Sequence, residues 1–237
     1  MVATHMHIII SMDNHSQISM LQLWRLISPA LPVGAYAYSQ GLEYAIECEW
    51  VKDEKSCLDW IGGVLTNNIA YLDIPILQHF YDAWNRDDQS QIDYWSSYLS
   101  ASRETNELSL EDQQIGDSLA RLLTDIGVEQ AKIWQQDSKC SYPLMFALAG
   151  QQWKIPITDL ALGYVWSWCE NQVAAAMKVI PLGQTQGQTL LQSLMPLMNQ
   201  AVTIGLAIDD DDIGRMCPGQ VMASALHEQQ YSRLFRS

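Results

Sequence analysis

The sequence predicts an all-α fold, a single-domain bundle of roughly nine or ten helices. Two patterns carry that expectation: apolar residues recur at three- and four-residue spacing along the chain, and no segment shows the strict alternation of a half-buried strand. A third observation concerns domain number. Hydrophobic residues make up 48% of the 237 positions and charged residues 17%, and their proportions do not shift abruptly anywhere, so one domain is expected over residues 18–237. Residues 1–17, polar apart from Ile8, Ile9 and Ile10, read as a disordered N-terminal tail.

The elements follow in order. Met20, Leu23, Trp24 and Ile27 mark a first helix that must stop before Pro29, whose ring disfavours helical geometry at Ser28. After a turn through Pro32 and Gly34, Ser39 is the expected cap of a second helix, with Glu43 in its first turn and Leu42, Ala45 and Ile46 inward. Asp53 is placed to cap a third helix carrying Leu58, Ile61 and Leu65, in which Gly62 and Gly63 weaken the helix or permit a close crossing. Ile76, Leu77, Phe80, Tyr81 and Trp84 form the next stripe, with Pro75 tolerated near the first turn, and Ile92, Trp95, Tyr98 and Leu99 the one after. Leu108, Ile115, Leu119, Leu122, Leu123 and Ile126 lead to a stop at Gly127. Four more helices are expected over about 142–153, 158–180, 185–208 and 219–229, the third containing Pro196 as a kink.

A net charge of −14 would repel a phosphate backbone, which excludes nucleic acid and anionic membrane surfaces as expected partners. No stretch approaches the ~20 apolar residues of a membrane span, and the isoleucine trio lacks a basic leader, so a cytoplasmic protein is expected. The five cysteines are odd in number, scattered and never paired as CxxC; free, mostly buried thiols fit better than a disulfide framework or a zinc site. Asp209 to Asp212 invite a cation, but four consecutive carboxylates cannot all turn toward one ion, and a solvated loop is the expected reading. His5, His7, His15, His79 and His227 are isolated from one another or lie in the tail, so no metal site is expected, and His79 and His227 read as structural. No nucleophile motif, phosphate loop or cofactor signature is found, so neither catalytic residues nor a cofactor are expected.

Four polar segments, two of them glycine-bearing, escape the amphipathic pattern. Residues 28–43 read SPALPVGAYAYSQGLE, with two tyrosines that look exposed; 102–114 read SRETNELSLEDQQ; 181–191 read PLGQTQGQTLL; and 227–237 read HEQQYSRLFRS. Taken singly these are a tight connection, a charged helix face, a turn capped by Thr185 and a frayed end. A frayed end, however, rarely spends Tyr231, Leu234 and Phe235 on solvent; alternating with Arg233 and Arg236, they look like an anchor with cationic handles.

Together, in this order and at these separations, the four segments resemble the urease accessory protein family UreF over about residues 21–237. The resemblance implies an all-α, non-catalytic homodimer that bridges UreD (UreH in some organisms) and the GTPase UreG to apo-urease for nickel insertion. It implies partner binding by Tyr231, Ser232, Arg233, Leu234, Phe235, Arg236 and Ser237. It marks Pro32, Gly34, Tyr38, Gln40, Gly41, Arg103, Glu104, Glu107, Gln184, Gly187 and Gln188 as motif positions serving contact or packing; Gln184 and Gln188 either line an internal polar path or satisfy helix ends. If the protein modulates the GTPase, an arginine supplied in trans is a natural device, with Arg233 and Arg236 the candidates by exposure and Arg103 by motif. Two other classes compete with this scaffold reading: a metallochaperone that binds nickel itself, and an all-α ligand-binding effector domain.

Overall fold

The structure, a computed structural model, describes residues 16–237. The expected tail lies outside the described residues up to position 15, while 16 and 17 already belong to helix α1, which spans 16–26. Nine further α-helices follow: α2 (Leu42–Glu47), α3 (Glu54–Val64), α4 (Asp73–Arg86), α5 (Gln89–Ala101), α6 (Asn106–Asp125), α7 (Tyr142–Gln152), α8 (Ile157–Val179), α9 (Gln184–Gly205) and α10 (Pro218–His227). A π turn at Leu65–Ile69 extends α3, and short 3-10 turns occupy Ala35–Ala37, Glu129–Trp134 and Asp210–Asp212. No strand occurs among the described residues, and none of their helices is long and apolar enough to cross a membrane. The fold is the expected all-α bundle.

Local chemistry explains most boundaries. Asp53 Oδ1 accepts the Ser56 N–H at 2.8 Å and Ser56 Oγ accepts the Asp53 N–H at 3.1 Å, a reciprocal capping box that starts α3. Thr105 and Ser141 cap α6 and α7 in the simpler one-bond form. Gly127 follows α6 with a φ of 94°, as a C-terminal stop requires. Two expected caps are displaced. Helix α2 starts after Gly41, because the Ser39 N–H and hydroxyl are drawn to the far end of the chain, although Ser39 Oγ still accepts the Glu43 N–H at 3.3 Å. Helix α9 starts after Gly183, not Thr185, because Gln186 Oε1 reaches back to the Gly183 N–H at 2.8 Å.

Packing follows from how much of each helix is apolar. Residues Pro143 to Gly150 of α7 are all buried, and a helix apolar on every side belongs at the centre. It lies against α4 and α6, while α8 packs along α9. Phe80, Leu77 and Phe146 are sealed from solvent between these layers. Close approaches fix the geometry: a Cβ on Gly62 would stand 2.8 Å from Leu197 Cδ1, so this glycine permits a close crossing of α3 and α9. A Cβ on Gly116 would meet the Ser141 backbone at 2.5 Å, where nothing can yield. Gly116→Ala is therefore expected to cost about 1–3 kcal/mol, read as a lower thermal midpoint; an unchanged midpoint would mean that the α6–α7 contact can relax.

Candidate functional site: a docked C-terminal segment

The last residues fold back onto α2 and α6 as a bent, irregular segment, with only the final side chains turned by turns to solvent and to the body. Phe235 is 6% exposed and Ser237 1%, whereas Leu234 is 64% exposed and Tyr231 wholly so. The backbone is stitched to the 28–43 connection: the Arg236 N–H donates to Ala37 O at 2.9 Å and the Ser39 N–H to Ser237 O at 2.6 Å. Lys178 Nζ lies 5.1 Å from the Phe235 ring centre, a cation–π contact across the buried aromatic.

Three buried glutamates receive this segment. The Glu43 carboxylate accepts the Leu234 and Phe235 N–H groups at 2.7 and 2.9 Å. Glu107 accepts from Arg233 Nη1 at 2.9 Å, and Glu111 from Ser237 Oγ at 2.8 Å. Behind them His227 is fully buried between two carboxylates, Nδ1 at 2.9 Å from Glu107 and Nε2 at 3.2 Å from Glu43. Each ring nitrogen of His227 thus has a carboxyl oxygen as its partner, and the terminal segment adds the Arg233 guanidinium to the same cluster. Burial pushes the Glu107 carboxyl up, with the His227 hydrogen bond working against it. Burial pushes Glu111 up to about 7, against its hydrogen bonds from Gln40 and Ser237.

The connection that receives the tail is built for it. Gly41 has a φ of 83°, and a Cβ there would stand 2.7 Å from Ser224 N on α10, so only glycine fits. Gln40 donates to Glu111 Oε1 at 2.8 Å and accepts from Trp168 Nε1 at 2.8 Å. Tyr38 is buried and donates to Gln114 at 2.6 Å; Tyr36 is half-buried and donates to Glu170 at 2.9 Å. The two tyrosines that look exposed in sequence are therefore covered, by α6 and α8. Pro32 and Gly34 are exposed.

Beside this lies a second buried charge cluster. Arg103 Nη2 is 2.7 Å from Asp73 Oδ1 and its Nε 3.1 Å from Asp112 Oδ2, and the Tyr164 hydroxyl donates to Asp73 at 2.9 Å. Burial alone would lower the guanidinium; the two aspartates overcome it and hold the group well above its usual range. A cavity of about 80 Å³, walled by apolar side chains on one part and by this cluster, Gln40 and Glu111 on the other, has room for a few waters. Glu104, the neighbour of Arg103, points to solvent. In the third motif Gln184 and Gln188 are exposed, so they line no internal path, and the helix start is satisfied by Gln186 instead. Gly187 is a packing position, since a Cβ there would stand 2.3 Å from Met177 Sδ.

Comparison with known proteins matches this architecture. The UreF family model covers residues 51–195, from the end of the α2 turn into α9. The urease accessory protein UreF of Alkalilimnicola ehrlichii is 46% identical, over 96% of this chain and 100% of its own. The chain belongs to the UreF family. Other UreF proteins agree: that of Hahella chejuensis is 44% identical over 93% of this chain and 99% of its own, and that of Teredinibacter turnerae 45% over 92% and 98%.

Within this UreF chain the sequence-marked positions separate into groups. Tyr231, Ser232, Leu234 and Arg236 are exposed; Phe235 and Ser237 are buried; Arg233 is 39% exposed and paired with Glu107. Arg103 is withdrawn as an arginine to be offered to a GTPase, because its side chain is 12% exposed and held by two carboxylates. Arg236 has no side-chain ion pair among the described residues, which leaves it the accessible guanidinium of the tail. The aspartate run is exposed, with Asp210 Oδ1 2.9 Å from His79 Nε2. Among the described residues no group of three or more His, Cys, Asp or Glu is arranged to hold a metal ion. Glu43, Glu111, Asp73 and Asp112 belong to this candidate site and were not marked by sequence reasoning. One signal was present: Glu107 and Glu111 are four apart and share a helix face.

Proposed function

We propose that this UreF-family chain is a non-catalytic scaffold of urease maturation, bridging UreD (UreH) and the GTPase UreG to apo-urease so that nickel can be inserted. The observation that carries this reading is the docked tail: a segment that spends Phe235 on its own anchorage while holding Tyr231 and Leu234 in solvent is built to offer those side chains to another protein. Binding energy, not bond chemistry, is the chain's contribution, in the cytoplasm. Modulation of the GTPase falls to Arg236, or to Arg233 once a partner loosens its pair with Glu107. Homodimerisation suits the outer face of α1, where Ile18, Leu21 and Trp24 are exposed and Arg25 is the one charged residue within 16–26. A chain of charge −14 meets its own copy most readily across such a face.

The effector-domain alternative finds too little room in the central cavity of about 80 Å³, and the larger space of about 970 Å³ beside α1, lined by Leu23, Trp24, Trp153 and Trp166, is an open apolar groove with few polar groups to orient a small molecule. The metallochaperone alternative predicts stoichiometric nickel binding by the isolated chain, against which the dispersed histidines and cysteines speak.

The deciding experiment is co-purification of the full chain, and of a Tyr231→Ala/Leu234→Ala variant, with UreD and then UreG, using light scattering to count subunits. The full chain is expected to form the ternary complex and the variant to lose it. A full chain that ignores UreD would overturn the scaffold reading.

A further inference from the structure

Over the last four residues Leu234 and Arg236 face solvent while Phe235 and Ser237 are buried, and Arg233, itself 39% exposed, turns its guanidinium to Glu107. The segment bends at 231–232 and 234–235 and has no continuous backbone ladder, so a shift of one residue along the body would bring Leu234 or Arg236 into the place of Phe235. Something must therefore set the register, and the backbone pairs at Ala37 and Ser39 lie at the very end of the segment. Glu43 sits at the point of reversal. Its two oxygens take the N–H groups of two successive residues, 234 and 235, a grip that fits one register only. Its own position is held from behind by His227 Nε2, whose other nitrogen is fixed by Glu107, and Glu107 in turn takes Arg233. Removing any of these members leaves a buried polar group of its neighbour without a partner.

We propose that Glu43, backed by His227 and Glu107, is a positioning device that locks the register of the C-terminal segment and thereby decides that a partner meets Tyr231, Leu234 and Arg236. The surface that fits these three is an apolar recess with an acidic group at its rim. This recognition half rests on the scaffold reading above; the locking half does not. Holding the segment ready spares a partner the cost of ordering it, so the lock acts on affinity without touching the partner.

Hydrogen exchange on the full chain tests the lock. The Leu234 and Phe235 amides are expected to exchange at least about tenfold faster in Glu43→Ala than in the unaltered protein, while amides of α4 and α7 keep their rates. Glu43→Gln, which retains one accepting oxygen, should fall between and shows that the effect is not loss of fold. Equal protection of those two amides in all three proteins would overturn the proposal, whether or not UreD binds. With UreD in hand, Leu234→Ala should weaken binding about tenfold with amide protection intact, and Glu43→Ala should weaken it together with the loss of protection. Binding unaffected by Leu234→Ala would overturn the recognition half while leaving the lock in place, and absence of binding by the unaltered chain would count against the scaffold reading alone.

Discussion

Arg103→Met is expected to destabilise the fold by about 3–5 kcal/mol, because it strands two buried aspartates without their cation. Asp73 and Asp112 approach the guanidinium from α4 and α6, with side chains only 2% and 11% exposed. Neither reaches the surface. Asp112 also accepts the Tyr142 N–H at 2.9 Å, tying the cluster to the start of α7, and Tyr164 of α8 donates to Asp73. Four helices therefore meet at one charge, and its loss should lower the thermal midpoint by roughly 6–20 °C for a chain of this size. Adding Asp73→Asn and Asp112→Asn to the methionine variant should recover much of that loss, since the penalty belongs to the unpaired carboxylates. If Arg103→Met alone melts like the unaltered protein, the cluster contributes specificity at most.

The second large effect is on pH. Burial raises Glu111 from 4.5 to about 7, so between those values the folded chain keeps a proton that the unfolded chain has released. The stability this group contributes is complete below about 4.5 and is lost as pH rises through about 7. The span corresponds to something on the order of 3 kcal/mol. Burial raises Asp112 and Glu107 as well, so the same slope has several contributors. Denaturant unfolding at pH 5 and pH 8 should show the unaltered chain weaker at the higher value. Glu111→Gln, which cannot ionise, should remove its share of the difference and leave the variant the more stable of the two at pH 8. Equal slopes in both proteins would mean that Glu111 is ionised throughout, with its hydrogen bonds from Gln40 and Ser237 outweighing burial.

Which parts of this were legible in the chain follows the range of the forces involved. Asp53, Gly127, Pro29 and the apolar stripes act on neighbours within a turn or two, and the helices they predict are the helices observed. Of the two displaced caps, one arises where a distant partner competes: Ser39 gives its hydroxyl to Ser237, 198 residues away, and so does not cap α2 in the expected register, whereas at α9 the competitor, Gln186, is local. The 3-10 turn at Glu129–Trp134 carries no local motif and depends on the buried Trp134. The four polar segments were recognisable as exceptions, yet the three buried glutamates among or beside them read as helix-surface charge, since a carboxylate's letter does not reveal what will cover it.

From sequence alone came the helical class, the single domain and the family resemblance, and the proposal that residues 231–237 bind a partner starts there. Only the tertiary structure decided which of those residues face outward, that Arg103 is a buried structural cation, and that His227 stands between two carboxylates. The reason is physical. Periodicity and capping are short-range and written in consecutive residues, whereas burial and charge pairing arise when α2, α6, α10 and the tail converge from positions as far apart as Glu43 and Phe235, and no local pattern records that meeting.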